Sequence, residues 1–126
     1  MNKLYPKFII ELKKTKFFNP DEVMIRRNIS SVYFGVYNYI SYLMPNNKKD
    51  NISSNGIKEY LKTSKVKGQN NSRIVNSWEN LRLSRLAADH HITNPVKINN
   101  SKIDLNKEKM LNVIESGKYI IENLKK

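Results

Sequence analysis

Residues 21–45 read Asp21-Glu22-Val23-Met24-Ile25-Arg26-Arg27-Asn28-Ile29-Ser30-Ser31-Val32-Tyr33-Phe34-Gly35-Val36-Tyr37-Asn38-Tyr39-Ile40-Ser41-Tyr42-Leu43-Met44-Pro45. Ile25, Ile29, Val32, Val36, Ile40 and Leu43 recur at intervals of three and four, which places them on one stripe of a long amphipathic helix. Asp21 suits the N-cap, and Pro45 ends the run. Tyr or Phe also occupies positions 33, 34, 37, 39 and 42, more than one buried stripe requires. Such a surplus marks a second contact surface, and a homodimer is its simplest use. The alternative is tyrosines that cover the apolar face while their hydroxyls reach water.

Four further helical segments follow from the same periodicity. Lys3–Lys16 carries Leu4, Phe8, Ile9 and Leu12 on one face and stops near Asn19-Pro20. After a polar loop over Asn46–Asn51, Ser53-Ser54-Asn55-Gly56 caps a shorter helix bearing Ile57, Tyr60, Leu61 and, at its end, Val66. Lys65–Ser72 reads as a turn. From Arg73 a helix runs to about His91 and buries Ile74, Val75, Trp78, Leu81 and Leu86. Asn94-Pro95 follows, and Val96–Ile103 is expected to be irregular. Asp104 starts the last helix, with Leu105, Leu111, Ile114, Tyr119, Ile120 and Leu124 as its apolar set. Glu108 near its start and Lys125 and Lys126 near its end complement the helix dipole. Amphipathic helices joined by short loops predict an all-α antiparallel bundle of about five helices, one domain spanning 1–126.

Composition narrows the function. The chain has 126 residues, four Gly, no Cys and a formal net charge of +12. Without cysteine there is no disulfide framework, thiolate metal site or Cys nucleophile. No apolar run approaches the roughly 18 residues of a membrane span, and Phe8-Ile9-Ile10 is too short for a secretory signal. A soluble cytoplasmic protein is expected. The charge admits two readings. A polyanionic partner, commonly nucleic acid, is one. The other is codon usage, because Lys and Asn each occur 18 times and Ile 14 times, and A/T-rich codons encode all three. The five arginines, Arg26, Arg27, Arg73, Arg82 and Arg85, are the more informative cations.

The chemistry-bearing residues cluster late in the chain. The only histidines, His90 and His91, close the string Leu81-Arg82-Leu83-Ser84-Arg85-Leu86-Ala87-Ala88-Asp89-His90-His91. Arg82, Arg85 and Asp89 share a helix face, with Arg85 and Asp89 spaced as an i,i+4 pair. An exposed ion pair followed by two solvated histidines accounts for this pattern structurally. The functional reading takes His as a general acid or base near neutral pH and Arg as a bidentate phosphate clamp. Those parts suffice for RNA cleavage by the RNA's own 2′-hydroxyl. Five residues separate Arg85 from His90, about 140° around an ideal helix, so the two converge only if the helix ends or distorts at His90 or if Arg85 reaches around. No H-E-x-x-H spacing, Gly-rich phosphate loop or Ser-His-carboxylate arrangement is present, and no metal or other cofactor is expected.

Two strings together resemble the HEPN superfamily (higher eukaryotes and prokaryotes nucleotide-binding). They are Arg26-Arg27-Asn28-Ile29-Ser30-Ser31-Val32-Tyr33-Phe34-Gly35-Val36-Tyr37-Asn38 and Leu81–His90. The likeness is to a prokaryotic branch with an R-R-x-x-S-x-x-Y-Y-A-x-F-H helix and a later R-x-x-A-D-Y segment. Arg26, Arg27, Ser30 and Tyr33 match, as do Arg85, Ala88 and Asp89. Phe34, Gly35 and Tyr37 are near-matches, Asn38 stands in place of His, and His90 takes the place of the later Tyr. Arg85 with His90, or with His91, also satisfies the R-x4-6-H pattern of ribonuclease-active members. Ile92 stands where members controlled by tyrosine modification have Tyr.

The resemblance implies a metal-independent endoribonuclease, a toxin or defence effector, acting as a homodimer in which the Arg–His pairs of two subunits meet in one cleft. Arg85 would clamp phosphate and His90 would be the acid/base, with His91 in reserve. Arg82, Asp89, Asn38, Tyr33 and Ser30 would shape the cleft, and Arg26, Arg27 and Arg73 would bind nucleic acid. RNA is the implied substrate, and a nucleotidyltransferase antitoxin is a common partner. The alternative from the same resemblance is a non-catalytic module that binds nucleic acid or nucleotide, or partners a nucleotidyltransferase.

Overall fold

A computed structural model describes residues 21–45, 52–64, 71–91, 94–98 and 100–124. The helix expected over Lys3–Lys16, the loop Asn46–Asn51, Val66 and the terminal lysines lie outside these. The described residues form helices α1 (Glu22–Leu43), α2 (Ser54–Thr63) and α3 (Asn71–His90), a hairpin of β1 (Val96–Ile98) and β2 (Ser101–Ile103), and helix α4 (Lys107–Asn123). None of these helices is long and apolar enough to cross a membrane.

Helix α1 follows its sequence pattern closely. The Asp21 carboxylate accepts the Met24 amide at 2.8 Å, filling one orphan donor of the first turn. Ile25, Ile29, Val32, Val36 and Ile40 are all buried, and Leu43 packs at the core's edge. The helix ends because Met44 precedes Pro45, which drives it to extended backbone (φ −69°, ψ 147°). In α2, Ser53 accepts the Gly56 amide at 2.9 Å, and Ile57 and Leu61 are buried.

Helix α3 begins at Asn71, two residues before the expected start. The Asn71 side-chain amide donates to the carbonyls of Leu61 and Ser64, both at 2.8 Å, so it ties α3 to the end of α2. Its buried face is Ile74, Trp78, Leu81, Ser84, Ala87 and Ala88. Val75 and Leu86, expected in the core, are only partly buried. Ser84, Ala87 and Ala88 make the last part of this face small, and Ala88 lies beside Arg26 of α1. Trp78 is fully buried, stacks on Tyr33 with 5.1 Å between ring centroids, and donates its indole N–H to the Ser54 carbonyl.

The segment expected to be irregular is the β-hairpin. Val96 pairs with Ile103 and Ile98 with Ser101, antiparallel. A hairpin this short is marginal in isolation. Here Val96, Ile103 and Leu105 are buried in the helical core. Asn94 braces it, accepting the Leu105 amide at 2.9 Å and donating to the Leu105 carbonyl at 3.1 Å. The same pairing delays α4. Residue 105 is held by Asn94, so Asn106 rather than Asp104 is the N-cap, accepting the Lys109 amide at 2.8 Å.

Helix α4 buries Met110, Val113, Ile114, Gly117, Ile120 and Ile121. Leu111, assigned to its apolar face from sequence, is instead 36% exposed, and Tyr119 is only partly buried. Contacts fix the directions of the helices. Arg26 near the start of α1 meets Ala88 near the end of α3, and Tyr33, two turns further along α1, meets Trp78 in the first half of α3. Asn80 meets Asn112, while Arg73 meets Tyr119. Thus α1 and α4 both run antiparallel to α3, as expected for an antiparallel bundle.

Candidate functional site

The antiparallel seam of α1 and α3 brings the two motif strings together. Asp89 lies one turn after Arg85, and its Oδ2 accepts the Arg85 Nε–H at 3.0 Å. That oxygen also accepts the Ser30 hydroxyl from α1 at 3.1 Å. The Arg85 guanidinium lies over the rings of Tyr33 and Phe34, 5.3 and 5.1 Å from their centroids. A carboxylate, a hydroxyl from the neighbouring helix and two aromatic rings therefore orient a single arginine. The arrangement combines charge-assisted hydrogen bonding with cation–π contact.

Arg26 has a different task. Its Nη1 donates to the carbonyls of Ala87 (3.2 Å), Ala88 (2.9 Å) and His91 (2.5 Å), and its Nε to Glu22 (3.0 Å). The last turn of a helix leaves carbonyls without intrahelical donors, and Arg26 supplies them across the seam. Glu22, held in place by Arg26 and by the Asn94 amide, has its carboxyl pulled below the usual range by those two hydrogen bonds, Asn94 contributing more. Arg27, by contrast, is exposed. It lines an open groove of about 500 Å³ together with Val23, Arg26, Ser30, Ser31, Ala88 and Asp89.

Other sequence-predicted residues sit elsewhere. Arg82 pairs with Glu79 through two hydrogen bonds of 3.3 and 3.1 Å, so it is directed one turn back along α3 rather than toward Asp89. Asn38 donates to the Phe34 carbonyl of its own helix at 2.7 Å. Tyr33 is buried, with its hydroxyl 2.6 Å from Ser54 Oγ, so it shapes the site only through the ring beneath Arg85. Arg73 lies over Tyr119 at 4.1 Å. It is twelve residues from Arg85, about 18 Å along the helix. His90 is the final residue of α3, and both His90 and His91 are exposed. Because α3 is helical through His90, the Arg85 and His90 side chains leave the axis about 140° apart.

The aromatic surplus of α1 divides in two. Tyr33 is in the core, Tyr37 donates to the Ile52 carbonyl at 3.0 Å, and Tyr39 is partly buried, with burial raising its phenol pKa. Phe34 and Tyr42 remain exposed, at 42% and 40%.

Sequence reasoning missed a second polar cluster, between α3 and α4. The Lys109 amine donates to Asn80 Oδ1 at 2.8 Å, and the Asn80 amide donates to Asn112 Oδ1 (2.8 Å) and Ser116 Oγ (2.9 Å). Burial lowers the Lys109 pKa. Asparagine is so common in this chain that no local contrast singled these residues out. No family model, curated protein or solved structure matches the chain.

Proposed function

We propose that this chain is a HEPN-type endoribonuclease that acts as a homodimer and uses Arg85 and His90 as its catalytic pair. The supporting observation is the junction of the two motif-bearing segments. Ser30 and Asp89, 59 residues apart, share a hydrogen bond, and Asp89 in turn holds Arg85. In this reading Arg85 binds the scissile phosphate and stabilises the charge that builds on it. His90 takes the 2′-hydroxyl proton as that oxygen attacks phosphorus. The bond to the 5′-oxygen breaks, and that oxygen takes a proton from solvent as it leaves. The products are a 2′,3′-cyclic phosphate and a 5′-hydroxyl end. Since the two side chains diverge around α3, the reading assigns the partnering histidine to the second protomer. His91 is the reserve base, and Ser30 and Asp89 position Arg85. A toxin or defence-effector role restrained by a nucleotidyltransferase belongs to the same proposal.

The test is incubation of the pure chain with total RNA, followed by analysis of the 3′ ends. Wild type should yield cyclic phosphate. Arg85→Ala and His90→Ala should abolish it while the helical circular dichroism stays unchanged. Undiminished cleavage by both His90→Ala and His91→Ala overturns the assignment. One observation favours a second reading, a non-catalytic module that binds nucleic acid or nucleotide: Arg85 is already ion-paired with Asp89 at 3.0 Å. Binding that weakens steeply with salt, without cleavage, selects that reading.

A further inference from the structure

Phe34 is the least explained side chain of the α1–α3 seam. A large aromatic residue on a helix surface, it is left 42% exposed, so its burial in this chain is incomplete. Its setting is nonetheless defined. The Arg85 guanidinium stands over it at 5.1 Å, and Tyr33 meets it edge-on at 5.1 Å with an interplanar angle of 84°. Tyr33 is itself fixed by Trp78 and Ser54. The ring is thus braced from two sides and still presents surface outward. On the same exposed side of α1, one and two turns toward the N-terminus, lie Ser31 and Arg27, both lining the groove beside Asp89. In about 11 Å of helix a cation, a hydroxyl and a braced aromatic ring follow one another.

We infer that Phe34 is a base-stacking residue, and that the Arg27–Ser31–Phe34 track takes an unpaired RNA segment whose phosphates face Arg27 and one of whose bases lies on Phe34. The inference rests on the RNA reading proposed above and adds to it the choice of unpaired over duplex RNA. A single-stranded nucleic acid offers a π face and an anionic backbone at once, which is what an aromatic ring beside arginines can recognise. A duplex keeps its bases stacked on each other and cannot offer that face. The formal charge of +12 is complementary to either form, so Phe34 rather than charge makes the choice.

The experiment is fluorescence anisotropy with a labelled unstructured RNA oligonucleotide and a labelled hairpin of equal length, both 2′-O-methylated so that the proposed cleavage cannot consume them, using the full chain at several salt concentrations. Molar mass is measured alongside by light scattering. Wild type should prefer the unstructured RNA. Phe34→Ala and Phe34→Leu should lose about tenfold in affinity for it and little for the hairpin, whereas Phe34→Tyr should retain it. Stacking releases no counterions, so the salt slope should be unchanged in all three, while Arg27→Gln should reduce its magnitude by about 0.7. Full affinity in Phe34→Ala overturns the inference and leaves the RNA reading intact. So does affinity retained by Phe34→Leu, since leucine keeps an apolar surface without a π face. A molar mass that falls in Phe34→Ala together with the affinity also overturns it, because Phe34 then belongs to a contact between copies. No RNA binding by wild type overturns both.

Discussion

Ser30 and Asp89 meet at 3.1 Å across the α1–α3 seam, on the same carboxylate oxygen that receives Arg85. One acidic atom therefore registers two helices and aims a cation. Both partners of the ion pair have side chains that are a quarter exposed, so solvent screens it only in part. Its value lies in direction more than in energy.

Asp89→Asn should loosen Arg85 while leaving Ser30 an acceptor. Stability should fall by less than about 1 kcal/mol. RNA affinity should rise several-fold at low salt, with a salt slope steeper by about 0.7, because Arg85 gains a phosphate in place of a carboxylate. Parallel urea titrations and binding isotherms check both halves.

Arg26→Ala should be more damaging than loss of any exposed arginine. It removes the donor for three carbonyls at the end of α3 from a side chain only 17% exposed. The expected loss is about 2–3 kcal/mol. Lysine should not restore it, since an ammonium cannot reproduce the span of the guanidinium fork. Arg27→Ala on the neighbouring exposed position should stay within about 0.5 kcal/mol. Urea midpoints of the three variants test the contrast.

Ser84→Ala should be neutral or stabilising. The Ser84 hydroxyl is fully buried and has no hydrogen-bond partner among the described residues. Removing it relieves a desolvated polar group without opening a sizeable cavity, a gain of up to about 1–2 kcal/mol. A fall in melting temperature would show that the hydroxyl is satisfied.

Lys109 predicts a pH dependence. Burial lowers its folded pKa from the usual 10.5. Between the lowered value and 10.5 the unfolded chain binds more protons than the native one, so stability rises with pH through that window. Below the lowered value both states are protonated and the cost is constant. Wild type should therefore gain stability relative to Lys109→Met from neutral pH to about pH 10. Urea unfolding of both proteins across that range measures the difference, which isolates this lysine from the others.

What the sequence determined by itself is local and periodic. The stripe from Ile25 to Ile40, the caps at Asp21 and Ser53, the buried Ile74, Trp78 and Leu81, and the Arg85–Asp89 spacing all follow from a helix turning every 3.6 residues, and each was legible without a partner. The hairpin was not. Its strands have three residues each, too few for alternation to register, and they persist because Val96 and Ile103 find a helical core and Asn94 holds Leu105. The start of α4 moved for the same reason. At the site the gap is sharper. Sequence placed Arg82 with Arg85 and Asp89, and gave Arg26 and Ser30 no structural partners. Arg82 turns instead to Glu79 of its own helix, an i,i+3 pair, and only the antiparallel packing of α1 on α3 decided that Arg26 ends α3, that Ser30 holds Asp89, and that Phe34 and Tyr33 lie against Arg85. Helical periodicity specifies which side of a helix a residue occupies; which residue of another helix it meets depends on how two apolar stripes register when they are buried together.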